Sequence, residues 1–312
     1  MRFAWLPVAV LGYASFSTGT AHAYCLTHTC DPTSMTETCE FVDGCNVSGK
    51  VLFWRSGAVS FDVQKDGSSE TLADGTKQLL ISADTLDEIA TTAFQKWRSA
   101  DCGNGTHPSI TIMDLGLIDC AKPEYNSNQG NANVITFHDS TWPYPNTAQD
   151  TLALTTVFFD ADTGEIYDSN VEINSNQDSF AVGTPGDGQF SLSAVLTHEL
   201  GHFLGLAHSS LGNATMFAQY NVGMDTLETD DEQAICASLP PDRTITTDDY
   251  TPRHGFSSEC AKPETGCCAT AVGANATPSQ TLGLWAFGLG LCAWRGRARF
   301  RRAGQRSPAT RQ

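Results

Sequence analysis

Residues 191–206, SLSAVLTHELGHFLGL, combine an apolar repeat at helical spacing with two histidines four residues apart. Ser191 and Ser193 both stand where an N-cap belongs. On a helix, His198 and His202 share one face, so their imidazoles can reach one cation, while Glu199 between them lies about 100° around the axis. Gly205 follows His202 by three residues. A residue without Cβ can take positive φ there, ending the helix and turning the chain so that His208 returns to the same cation. Three imidazoles leave the fourth tetrahedral position to water, as a zinc ion that acts on a substrate requires, with Glu199 beside that position as a base.

The charge balance excludes another class of partner. The chain has 312 residues, 18 basic and 35 acidic, for a net charge of -17. Arg2 and the seven Arg beyond Cys268 account for eight of the 18, which leaves 10 against 35, or -25, for residues 24–268. A body of that sign repels phosphates, so nucleic-acid binding is not expected.

The two ends read as addresses. Arg2, an apolar stretch over 3–13 and Ala21-His22-Ala23 follow the order of a secretory signal, with cleavage expected after Ala23. Export suits the eleven cysteines, since disulfides persist outside a reducing cytosol. Cys25, Cys30, Cys39 and Cys45 crowd one segment, and three pairings are open to them. Cys102 and Cys120 flank a strand expected over 110–113, and Cys236 and Cys260 flank the Pro-containing stretch 239–252, so each of these pairs could staple a loop, though connectivity is not readable from sequence. Beyond Cys267-Cys268 come a small-residue spacer, a 13-residue apolar run over 282–294, and Arg295, Arg297, Arg299, Arg301 and Arg302. The run is short of the roughly 20 residues of a permanent span. That order resembles the Cys-containing, Arg-terminated sorting domain of myxobacterial surface proteins, which implies a removable tail, membrane contact through it, and an extracellular or surface-anchored protein. A short anchoring helix that is retained is the alternative.

Between the ends, residues 51–54 and 59–63 read as two short strands joined through Arg55-Ser56-Gly57, with Val59, Phe61 and Val63 on one face. Thr85-x-x-Glu88 has the form of a capping box, followed by a helix that buries Leu86, Ile89, Ala90, Ala93, Phe94 and Trp97. Residues 134–137, 152–159 and 171–173 are strand-like, with 126–133 and 143–150 as polar loops. A sheet with helices packed on it, in the α+β class, is the economical architecture.

The extended motif, with Ser209 directly after the third His and Met216 within Ala214-Thr215-Met216-Phe217, resembles the metzincin clan and, through that Ser, the matrixin family of zinc endopeptidases. The resemblance covers residues 50–240. It implies a twisted mixed sheet, an active-site helix, a Met-turn at Met216 beneath the ligands and a C-terminal helix, matched by Thr229-Asp230-Asp231-Glu232 ahead of Ala234, Ile235 and Leu239. It also implies zinc held by His198, His202 and His208, with Glu199 as the catalytic base and Gly205 and Met216 in support. The expected organisation is a signal over 1–23, a Cys-rich segment over 24–49, the protease domain over 50–240, a linker over 241–268 and the tail over 269–312.

There are departures from the animal family. Residues 151–174 contain no His for a second, structural zinc, and His138 stands alone. Asp160, Asp162, Asp168 and Glu172 offer oxygens for a structural Ca2+, or form a solvated hairpin turn. Ala218 stands where the family usually has Pro. The pro-segment Cys motif is absent, and a thiolate from the cluster 25–45 is the candidate substitute.

The expected function is hydrolysis of peptide bonds in extracellular proteins, the substrate lying extended along residues 152–159 if they form an exposed edge. The alternatives are a zinc-stabilised adhesin without turnover, or a disulfide-rich scaffold in which the motif is incidental. The presence of Glu199 favours the first reading, because a purely structural zinc needs the imidazoles but not the base.

Overall fold

The computed structural model describes residues 23–32, 38–144 and 151–261. The expected signal before Ala23, Cys267, Cys268, the tail over 269–312 and most of the loop 143–150 lie outside them. Among the described residues no helix is long and apolar enough to cross a membrane.

The elements in chain order are β1 (Cys25–Leu26), β2 (Phe41–Val42), β3 (Cys45–Asn46), β4 (Ala58–Gln64), β5 (Ser68–Thr71), β6 (Lys77–Ile81), α1 (Ala83–Arg98), β7 (Thr111–Ile118), β8 (Val134–Phe137), β9 (Ala153–Phe159), β10 (Ile166–Ile173), β11 (Ser179–Ala181), β12 (Gln189–Ser191), α2 (Leu192–Phe203), β13 (Leu206–Ala207) and α3 (Thr229–Ser238). The main sheet has the order β7-β4-β8-β10-β9. Its first four strands are parallel neighbours, and β9 closes one edge antiparallel to β10. This is the expected α+β class with a mixed sheet.

Helices α1 and α2 cover the inner face of the sheet. Phe61 of β4 meets Phe94 of α1 at 4.8 Å between ring centroids, Phe94 meets Phe203 of α2 at 5.1 Å, and Phe203 meets Trp54 at 5.6 Å. Both tryptophans spend their one donor on α2: Trp97 Nε1 donates to Thr197 O and Trp54 Nε1 to Phe203 O, each at 2.8 Å. The helix that carries the motif is thus fixed at its middle and its end by indoles whose apolar bodies are core.

Several boundaries differ from expectation, each for a local reason. Residues 51–54 form no strand with β4: Leu52 N donates to Thr27 O and Phe53 N to Gly164 O, so successive rungs go to different partners and no ladder develops. α1 starts one turn earlier than Thr85-x-x-Glu88 suggests, because Ser82 Oγ accepts from Thr85 N and is the cap. In α3 the reciprocal contact comes from Asp231, whose carboxylate accepts from Glu228 N at 2.9 Å, one residue ahead of the expected start.

The disulfides correct the loop-staple pairing. Cys102 bonds to Cys236 and Cys120 to Cys260, while Cys25 bonds to Cys45 and Cys30 to Cys39. The first bridge ties the exit of α1 to α3, and the second ties the end of β7 to the segment beyond α3. That segment was expected as linker. Over 242–261 it is instead a strap: Gly57 N donates to Thr247 O, Asn131 N to Gly255 O, and both Asp119 N and Cys120 N to Ser258 O. Arg243 anchors its start through Trp54 O at 2.6 Å, Ser56 O at 2.8 Å and Ser109 O at 2.7 Å.

The outer face of the sheet is polar yet buried, with Asp62, Thr136, Thr156, Asp168, Asn170 and Glu172 all shielded. Asp62 has neither carboxylate oxygen paired, and burial, reinforced by Asp114 and Asp87, pushes its pKa up to about 7. The folded state therefore takes up a proton that the unfolded state does not between about pH 4 and 7, and this group's contribution to stability is lost as pH rises through 7. Asp62→Asn is expected to stabilise the protein by on the order of 2–4 kcal/mol at pH 8 and by little near pH 4, read from denaturant unfolding at both. An equal gain at both pH values would show that the carboxylate does not carry this cost.

Candidate metal centre

α2 begins at Ser191, whose Oγ accepts from Ala194 N, and places His198 and His202 on one face. After Phe203 the chain turns. Gly205 N donates to His202 O at 2.9 Å and Gly205 takes φ +95°, which a Cβ would strain. β13 then pairs antiparallel with β1, with Cys25 opposite Ala207 and Leu26 opposite Leu206, and His208 follows. Thr27 N donates to Gly205 O and Thr27 Oγ1 to Leu206 O, so residues 25–27 brace the loop between the second and third histidines.

The three imidazoles converge. His202 Nε2 lies 3.2 Å from His198 Nε2 and 3.2 Å from His208 Nε2. His198 Nδ1 is 2.7 Å from Thr215 O and His202 Nδ1 is 2.8 Å from Leu206 O. A carbonyl can only accept, so both Nδ1 atoms carry the proton in the neutral rings, and both Nε2 atoms present lone pairs. Two lone pairs at 3.2 Å do not bond to each other, but they can share a cation. A tetrahedral ion with Zn–N near 2.0–2.1 Å sets its ligand nitrogens about 3.3 Å apart, so the donor set fits zinc. Burial also disfavours the charged form of two of the rings, as suits metal ligands: it pulls His202 down to about 3 and His208 well below the usual range, with His198 adding to both.

Glu199 sits beside the triad, 7% exposed. Burial raises its pKa, while His198 and the Thr155 hydroxyl pull it back toward the ionised form. Thr155 Oγ1 lies 2.6 Å from Glu199 Oε2 and 3.1 Å from Glu199 O.

Met216 lies under the ligands, fully buried. A Cβ added at Gly201 would collide with Met216 Sδ and lie 2.8 Å from Trp97 Cζ2, so the glycine between the two helical histidines lets the thioether reach the α2 backbone. The turn is held from α3. Asp231 accepts from Thr215 N at 2.8 Å and Met216 N at 3.0 Å, and Thr215 O in turn receives His198 Nδ1. Asp230 accepts from Ser209 Oγ at 2.7 Å, and from Ala23 N at 3.1 Å and Tyr24 N at 3.0 Å. Sequence reasoning took these aspartates only as helix-start residues; an acid pair in a first turn carries no mark of what it will hold.

All six residues expected at the site, His198, Glu199, His202, Gly205, His208 and Met216, are brought together. The thiolate substitute is overturned, because Cys25, Cys30, Cys39 and Cys45 are all in disulfides. Three of the four carboxylates offered for Ca2+ have separate duties. Asp160 accepts from Asp162 N, Thr163 N and Tyr167 OH as a turn residue, Asp168 is bonded by Asn170 Nδ2, and Glu172 receives His138 Nε2 and Tyr144 OH, each at 2.7 Å. Among the described residues they form no group of three within ligand reach. Cys120, Glu124 and Cys260 do cluster, but both sulfurs are in one disulfide and offer no thiolate.

A family model described as matrixin matches residues 122–238, from ahead of β8 to the end of α3. No curated protein matches the chain. The matched span contains the three histidines, Glu199 and Met216, and with the mixed sheet and three helices it supports a metzincin-like zinc metalloprotease domain.

Gly201→Ala tests the packing under the ligands. Helix propensity alone would favour Ala by about 1 kcal/mol. The collision with Met216 is expected to outweigh it, lowering stability by about 1–3 kcal/mol and weakening zinc retention against a chelator. A rise in thermal stability would contradict the close approach.

Proposed function

We propose that this protein is an exported zinc-dependent endopeptidase that hydrolyses extended segments of extracellular proteins. The observation that carries the reading is Glu199: a carboxylate buried beside the three histidines is not needed to hold a metal but is what water-dependent hydrolysis requires. His198, His202 and His208 would hold zinc, which when bound polarises the scissile carbonyl and lowers the pKa of water in its open position.

The chain's own residues do the rest. Glu199 takes a proton from the attacking water as the oxygen–carbon bond forms, and delivers it to the amine nitrogen as the carbon–nitrogen bond breaks. No side chain becomes acylated. The Nδ1 bonds of His198 and His202 to Thr215 O and Leu206 O hold the rings in the ligating tautomer throughout.

Strand β9 supports an extended substrate. Among the described residues it is one of the two edges of the main sheet, and it packs against α2. Asn174 N donates to Leu152 O, and partners alternate along an antiparallel pair, so Leu154 and Thr156 bond to β10 while Ala153, Thr155 and Val157 turn their N–H and C=O outward. His138 N taking Ile173 O on the far side of β10 agrees with that parity. A peptide added to this edge would gain main-chain bonds without regard to its side chains.

Export rests on the order of residues 1–23 and is supported by four disulfides, which suit an oxidising compartment. Surface attachment rests on the order of residues 269–312 alone.

The test is zinc content together with cleavage of casein by the wild type, Glu199→Ala and His202→Ala. One zinc per chain is expected in the first two, with cleavage lowered at least about 100-fold in Glu199→Ala and zinc lost from His202→Ala. Zinc without cleavage by the wild type would favour the binding-module alternative, and a wild type that takes up no zinc would end the site assignment.

A further inference from the structure

We infer that Thr155, a residue outside the histidine motif, positions the Glu199 carboxylate and couples it to the edge strand; this rests on the peptidase reading above. Thr155 is fully buried, 44 residues before Glu199 in sequence, and its hydroxyl makes the one hydrogen bond to that carboxylate among the described residues. Two acceptors compete for a single proton. At 2.6 Å, Glu199 Oε2 is at the length of a charge-assisted bond, whereas Glu199 O at 3.1 Å is not, so the carboxylate takes it.

The consequence is orientation. A Glu side chain has three rotatable bonds, and a base that must face both the attacking water and the departing amine loses rate when it wanders. Thr is stiff at χ1 because of its branched Cβ, so its hydroxyl is a fixed point. Binding Oε2 to it sets the carboxylate plane and leaves Oε1 free to accept the proton.

The same residue belongs to the substrate edge. Thr155 turns its main-chain N–H and C=O outward, and its side chain inward to α2. A peptide that pairs with β9 therefore bonds to the residue that holds the base. Correct seating of the substrate strand and correct aim of the carboxylate share one backbone position.

Thr155→Pro would break the edge and the base contact together, so side-chain variants that keep the backbone N–H are the test. Thr155→Val keeps volume and branching and removes the donor; Thr155→Ser keeps the donor; Thr155→Ala serves if the Val variant folds poorly. Steady-state kinetics on an unstructured peptide, zinc content and a crystal structure of each variant are the readouts. Thr155→Val is expected to keep its zinc, to lose roughly 10- to 100-fold in kcat with KM within about 2-fold, and to show the Glu199 side chain in more than one rotamer. Thr155→Ser is expected to restore most of the rate with one Glu199 rotamer. Wild-type kcat in Thr155→Val or Thr155→Ala, or a Ser variant as slow as the Val variant, would overturn the positioning role while leaving the peptidase reading standing. An inactive wild type would instead overturn that reading and this inference with it.

Discussion

Backbone carbonyls taking the protons of two histidine rings is the interaction on which the site depends. Without Thr215 O and Leu206 O as acceptors, His198 and His202 could each place a proton on Nε2, and the nitrogens that meet at 3.2 Å would not all be ligands. The carbonyls are themselves placed by long-range contacts. Asp231 fixes the peptide at Thr215 and Met216 from α3, and β1 fixes Leu206 and Ala207 from the N-terminal segment. A short motif thus draws its geometry from two distant parts of the chain.

The local part of this arrangement was legible. His198 and His202 share a face by helical geometry alone, Gly205 marks the stop, and the stripe containing Phe94 and Trp97 identifies α1 as a core helix. Strand β8 and the edge strand β9 could be read from their apolar runs. Each of these signals is local to one element and its boundary.

What the sequence did not reveal is long-range. Cys102 pairs across 134 residues and Cys120 across 140, while their neighbours in sequence suggested bridges over short loops. The strap over 242–261 has the composition of a linker because it is held by backbone bonds, one half-buried Arg and a disulfide rather than by an apolar face. Thr155 is one of two adjacent threonines in a strand, and nothing local distinguishes the one that meets Glu199 from the one that faces Glu172. Only the pairing of β9 with β10 decides which threonine turns inward.

The measurement that tests the central claim most directly is anomalous diffraction at the zinc edge from crystals of the zinc-loaded protein. The account predicts a single peak about 2.0–2.1 Å from the Nε2 atoms of His198, His202 and His208, with both Nδ1 contacts to Thr215 O and Leu206 O retained. A peak elsewhere, or ligation through Nδ1 of either helical histidine, would contradict it.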